Sequence, residues 1–137
     1  MITIGVDAHK RVHVAVALDE AGRKLCGHTI ANNPESWREL YEWACEVGAP
    51  RQWGVEGSGS YGRGLAQHLV CCGETLFEVN PRLTAAGRRR SRRSDKNDGL
   101  DAKSVAMAVL REGSGLPQVM RTTRRRFSTS LPRSASR

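Results

Sequence analysis

Four acidic residues carry the sharpest chemical signal in this 137-residue chain: Asp7, Glu56, Asp98 and Asp101. Asp98 and Asp101 stand three apart, a spacing that puts both on one face of a helix. Asp7 and Glu56 each follow a short apolar run, Ile2-Thr3-Ile4-Gly5-Val6 and Gln52-Trp53-Gly54-Val55. Each run reads as a buried strand with an acid at its carboxyl end. If the two strands are neighbours and the helix packs on their edge, four carboxylates meet. Such a cluster is costly unless cations neutralise it. All-oxygen donors suit Mg²⁺ or Mn²⁺. Two such ions about 3.5–4 Å apart activate a nucleophile and steady a leaving oxygen in phosphodiester chemistry. Each acid also has a plainer reading. Asp7 could close a strand with an Asx-turn, and Glu56 could be an exposed strand-end carboxylate. Asp98 could cap the helix that Asp101 favours through its dipole.

The elements that must position these acids are legible in the pattern. Strands are predicted over 2–7, 11–18 and 24–31, the second from the Val-rich alternation of Val12 to Leu18. With short connections they form an antiparallel meander. Asn33-Pro34 opens a helix, and Trp37, Leu40, Tyr41, Ala44 and Val47 recur at helical spacing before Gly48 ends it. Trp37, Tyr41 and Trp43 are expected to pack on the core and helix surface. A fourth strand is predicted over 52–56, a helix near 61–72 and a fifth strand over 75–79. Weak helix signals at 82–90 precede a basic linker, and a last helix runs from Asp98 to about Arg111. The order βββαβαβ followed by a helix gives an α/β fold, a mixed sheet with helices on its faces.

Charge is divided unevenly. Residues 1–81 hold 7 Lys+Arg against 10 Asp+Glu, whereas residues 82–137 hold 15 against 4. A basic second half indicates a polyanion-facing surface, for which nucleic acid is the usual partner. Arg88, Arg89, Arg90, Arg92 and Arg93 lie beside the second acidic pair, flanked by Arg82 and Lys96. Phosphate contacts of this kind position a nucleic acid without reading its sequence. Between Glu56 and the next helix lies Gly57-Ser58-Gly59-Ser60-Tyr61-Gly62. It lacks the Lys-Ser/Thr of a P-loop, and reads as a tight turn with Ser60 as helix cap. A phosphate cradle of backbone N–H groups is the alternative, and Tyr61 is a candidate nucleic-acid contact. No His–Asp partner makes Ser58 or Ser60 a nucleophile.

Other features exclude more than they assign. No run of about 18 apolar residues appears, and no signal-peptide pattern, so a cytoplasmic protein off the membrane is expected. Cys26, Cys45, Cys71 and Cys72 match no metal-ligand spacing and read as buried free thiols. His9, His13, His28 and His68 sit in separate elements and are assigned to no metal. Arg, Ser and Thr make up 13 of the 17 residues 121–137. Such a segment buries too little to order itself, so residues 120–137 are expected to form a disordered tail behind a domain of residues 1–119.

Four segments in order resemble the signatures of the DEDD transposases of bacterial insertion sequences. They are Gly5-Val6-Asp7-Ala8-His9-Lys10, Val55-Glu56-Gly57-Ser58-Gly59-Ser60-Tyr61-Gly62, Val79-Asn80-Pro81-Arg82 and Lys96-Asn97-Asp98-Gly99-Leu100-Asp101-Ala102. The resemblance implies an RNase H-like, RuvC-like domain whose metal-binding acids are Asp7, Glu56, Asp98 and Asp101. It also implies Mg²⁺ or Mn²⁺ as cofactor, DNA as substrate, a guide (bridge) RNA and a homo-oligomer in the intact family. Family members continue into a coiled coil and a serine-bearing carboxy-terminal domain. Here the pattern stops near Val119, so a truncated or frame-shifted transposase, not competent alone, is expected. Two other readings are a non-catalytic nucleic-acid binder regulating full-length transposase and a fragment of an actin-like ATPase.

Overall fold

The structure, a computed structural model, describes residues 1–80 and 98–122, with side chains described for all of these except 98–100. Strands β1 (Ile2–Ala8), β2 (Val12–Leu18) and β3 (Lys24–Ala31) precede helix α1 (Pro34–Val47). Strand β4 (Arg51–Glu56), helix α2 (Arg63–Cys71), strand β5 (Leu76–Glu78) and helix α3 (Asp98–Glu112) follow. A short 3-10 turn, Gly113–Gly115, closes the series. The sheet runs β3-β2-β1-β4-β5. β1, β2 and β3 form the expected antiparallel meander. β4 adds parallel to β1, and β5 parallel to β4.

Period-two alternation splits the strands between two cores. Ile4, Val6, Trp53 and Val55 face Leu40 and Ala44 of α1 and Leu65 and Leu69 of α2. Val14, Val16 and Leu18 face Ala102 and Ala106 of α3 on the other side, and Phe77 and Val79 meet Val105, Ala108 and Val109. α1 starts where the sequence indicates: the Asn33 side chain accepts from the Ser36 N–H at 2.8 Å, with Pro34 in the first turn. Trp37, Tyr41 and Trp43 pack, partly buried, against the first core.

The fit of α3 depends on two glycines paired across β1 and β4, Gly5 and Gly54. A methyl group at Gly5 would lie 2.8 Å from Ala106 Cα and closer still to the Ala102 carbonyl and Ala106 N. At Gly54 it would lie 3.0 Å from Val79 Cγ2 and closer to Val109 Cγ2. The absent side chains let the helix backbone settle directly on the sheet. Because Gly5 precedes Asp7 by two residues and Gly54 precedes Glu56 by two, the same close approach brings the amino-terminal turns of α3 beside both acids.

Glu74 organises the opposite end of β4. It accepts from Arg51 Nε at 2.8 Å, Arg51 Nη2 at 3.0 Å and Nε1 of the fully buried Trp53 at 2.7 Å. Hydrogen bonds to a charged group are worth about 1.5–3 kcal/mol. Glu74→Gln keeps one acceptor but drops the ion pair, and should cost about 2 kcal/mol in urea unfolding.

Beyond α3 the chain returns along β5. Val119 N–H donates to Leu76 O and Glu78 N–H to Pro117 O, both at 2.8 Å. The Gln67 side chain then holds the Met120 carbonyl at 3.0 Å and the Thr122 N–H at 2.8 Å. Residues 120–122, assigned to the tail from composition, are thus hydrogen-bonded to the domain, because Gln67 offers a donor and an acceptor at the right spacing. Residues 123–137 lie outside the described residues, as does the weak helix signal at 82–90. The four cysteines are free, as expected, but not buried: Cys45 and Cys71 are exposed, and Cys26 and Cys72 half-buried. Cys26 packs only partly against the first core, and Cys72 lies just past the end of α2. Among the described residues no helix is long and apolar enough to cross a membrane.

Candidate active site

Asp7 and Glu56 are register partners on adjacent parallel strands, so both side chains project from one face at one edge of the sheet. That is the face covered by α3. Asp7 is 5% exposed, whereas Glu56 and Asp101 are half-buried. Burial pushes the Asp7 carboxyl above its ordinary value; the ring of His9 opposes this by charge and hydrogen bond, and the charges of Asp101 and Glu56 raise it further. Two of the acids named from the sequence, Asp101 and Glu56, therefore act electrostatically on a third, Asp7. Asp98 lies in the first turn of α3, and its side chain is outside the described residues. Arg82, Arg88, Arg89, Arg90, Arg92, Arg93 and Lys96 are outside them altogether.

Carboxylate oxygens alone make a donor set for a hard dication, and the mutual repulsion on Asp7 is what such an ion would relieve. Among the described residues no group of three or more His, Cys, Asp or Glu stands close enough to hold a metal as the side chains are placed. Any coordinating arrangement must draw the acids together, or include Asp98.

His9 enters the site without having been singled out. Its Nε2 lies 2.9 Å from Asp7 Oδ2, and its backbone N–H donates to Nδ1 of His13 at 3.3 Å. His13 is fully buried, and burial pushes its pKa down. A ring that accepts at Nδ1 carries its proton on Nε2 in the neutral form, and among the described residues that Nε2 has no hydrogen-bond partner. The spacing Asp7-x-His9 was the available signal, since residues two apart at a strand end share a face.

The glycine-rich loop behaves as a tight turn. Gly57 has φ +88°, and its carbonyl accepts from Ser60 N–H at 3.0 Å and Gly62 N–H at 2.8 Å. Glu78 Oε1 accepts from Ser58 N–H at 3.2 Å and from the Ser58 hydroxyl. The N–H groups that a phosphate cradle would need at Ser58, Ser60 and Gly62 are therefore already used. Ser60 is not the helix cap: Gly62 holds that position without a side-chain bond, because the loop turns one residue pair later than its serine spacing implies. Tyr61 is 55% exposed at this edge.

A profile of the DEDD transposases of the IS110 type (DEDD_Tnp_IS110, Transposase) matches residues 4–126. No curated protein matches the chain. Among solved structures, Thermus thermophilus RuvC superposes with a TM-score of 0.60 at 17% identity, covering 87% of this chain and 100% of that one. T. thermophilus RuvC in complex with a Holliday junction substrate gives 0.59 at 15% identity, covering 87% and 99%. The fold is accordingly RNase H-like, of the RuvC type. With a match that runs over residues 4–126, the chain belongs to the DEDD transposase family.

Proposed function

We propose that this domain supplies the metal-dependent DNA-cleaving site of a transposase, with Asp7, Glu56, Asp98 and Asp101 as the residues that would hold Mg²⁺ or Mn²⁺. The observation that carries the reading is the pairing of Asp7 with Glu56 at one sheet edge, with Asp101 close enough to act on the Asp7 charge. Bound there, a divalent ion would supply charge stabilisation for phosphodiester cleavage and an activated oxygen nucleophile. The protein's own part is to hold Asp7 rigidly at a buried strand end, to fix one of its oxygens through His9, and to bring α3 onto the edge. Arg82, Arg88, Arg89, Arg90, Arg92, Arg93, Lys96 and Tyr61 form the nucleic-acid face in this reading. Branched DNA, the substrate in one RuvC complex, is the substrate class to try first. A guide RNA and self-association, both carried by the family resemblance, are further proposed partners.

The test is strand nicking. The full chain should nick end-labelled branched DNA in Mn²⁺, a step short of the recombination it is not expected to complete alone, and EDTA or Glu56→Gln should abolish nicking while binding in EDTA stays unchanged. Equal behaviour of wild type and Glu56→Gln contradicts the proposal. The lack of a ready three-acid group among the described residues favours one second reading, a binder without catalysis. It is supported if DNA binding survives Asp7→Ala and no nicking occurs.

A further inference from the structure

Asn32 ties together two surface turns that lie far apart in sequence. Its Nδ2 donates to the Lys10 carbonyl at 3.1 Å and to the Tyr61 carbonyl at 3.3 Å. Its Oδ1 accepts from Trp37 Nε1 at 3.0 Å, and its N–H donates to the Arg11 carbonyl at 2.9 Å. One side chain thus fixes the turn after β1 against the turn after β4. Those turns follow Asp7 and Glu56 directly, so the bracket sits at the acidic edge of the sheet.

The side chains that the bracket holds point outward. Lys10, Arg11 and Arg63 are exposed, and among the described residues none of them takes part in an ion pair. Tyr61 stands between Arg11 and Arg63 in sequence, its carbonyl on the same Asn32 amide as that of Lys10, with 55% of its surface in water. A ring left so exposed, on two joined turns that also carry three exposed cations, matches the elements of a strand-binding groove: charges that track phosphates and an aromatic face that takes a base. An aromatic ring can stack on a base only where that base is unpaired.

We propose that Lys10, Arg11, Tyr61 and Arg63 form a seat for an unpaired nucleic-acid strand, braced by Asn32, which delivers a single-stranded or splayed segment to the acidic edge. The proposal rests on the nuclease reading above and specifies its substrate: a strand whose bases are open near the cut. Asn32 acts as a positioning residue, since it fixes both turns through their carbonyls.

The experiment measures binding in EDTA, so metal and cleavage play no part. Fluorescence anisotropy of the full chain would use a labelled 20-nucleotide strand and the duplex of the same sequence. The wild type should bind the single strand, and Tyr61→Ala should weaken that binding about tenfold while changing duplex binding less than twofold. The exposed triple variant Lys10→Gln, Arg11→Gln, Arg63→Gln should lower the slope of log affinity against log salt by about 2 for the single strand. Asn32→Ala, checked for folding by circular dichroism, should follow Tyr61→Ala. The seat is refuted if Tyr61→Ala and the triple variant keep wild-type single-strand affinity and salt slope, or if Tyr61→Ala weakens both DNA forms equally. Glu56→Gln separates the two proposals, because it removes nicking and leaves this binding intact. A failed seat with metal-dependent nicking preserved would overturn only the inference made here.

Discussion

Gly5→Ala should lower stability by about 4 kcal/mol, near the upper end for a single substitution, and Tm by about 15 °C. The added carbon has nowhere to go. It meets backbone atoms of Ala102 and Ala106, which cannot rotate aside as a flexible side chain would. Ordinary overpacking costs about 1–3 kcal/mol; here relief requires lifting the whole of α3 from β1, with loss of contacts at Val14, Val16 and Leu18. Lifting the helix also carries Asp101 away from Asp7, so any response to Mn²⁺ should weaken with the fold. Gly59→Ala is the control, because a carbon there meets nothing within 4 Å among the described residues; it should stay within about 0.5 kcal/mol of wild type. Thermal and urea unfolding of the two variants side by side measure the difference.

Asp7→Asn should abolish the stabilisation of the protein by Mn²⁺ without lowering the stability of the metal-free form. An ion binding only the folded state at a hundred times its Kd adds about 2.7 kcal/mol, and that increment should disappear with the charge. The metal-free expectation follows from the direction of the Asp7 shift. Burial raises its folded pKa above the ordinary 3.8, so the native state holds the proton more tightly than the unfolded chain. The stability this contributes is complete below 3.8 and drains away as pH rises through the folded value. Above the folded value the wild type has lost it, whereas Asn, which never ionises, keeps a neutral group in that place. Metal-free Asp7→Asn should therefore unfold at or above the wild-type temperature at pH 7. Differential scanning fluorimetry with and without Mn²⁺, repeated from pH 4 to 8, reads both effects. A variant that still gains stability from Mn²⁺ as the wild type does would remove Asp7 from the site.

Strand and helix positions were legible because the residues leave little choice. Val12 to Leu18 alternates over a sheet with both faces covered, and Asn33-Pro34 marks the start of α1 through a side-chain bond that then forms as expected. The two apolar runs ending in acids marked β1 and β4, but that they are neighbours, which brings Asp7 to Glu56, was only a condition in the sequence and comes from the sheet itself. The repeated Gly-Val-acid pattern held more than was read from it. Gly5 and Gly54 are what allow α3 to approach, yet a glycine in a strand shows only in three dimensions what it makes room for. Contacts that join distant turns were likewise out of reach: nothing in the local pattern links Asn32 to both Lys10 and Tyr61, or Gln67 to Thr122. Ser60 illustrates the converse. Its residue type suits a helix cap, but the hydrogen bonds to the Gly57 carbonyl delay the helix until Gly62. The cysteines misled for a related reason, since a preference for burial is a property of the residue type and not of a position.

The most direct measurement is a crystal structure of the full chain soaked in Mn²⁺, with the ion located by its anomalous scattering. The expected result is a peak at the carboxyl ends of β1 and β4, bonded by oxygens of Asp7 and Glu56 at about 2.1 Å, with Asp98 and Asp101 on α3 completing or bridging the shell. Manganese bound elsewhere, or an α3 that turns Asp98 and Asp101 away from that edge, would contradict the metal centre and leave a nucleic-acid binder on a RuvC-type fold.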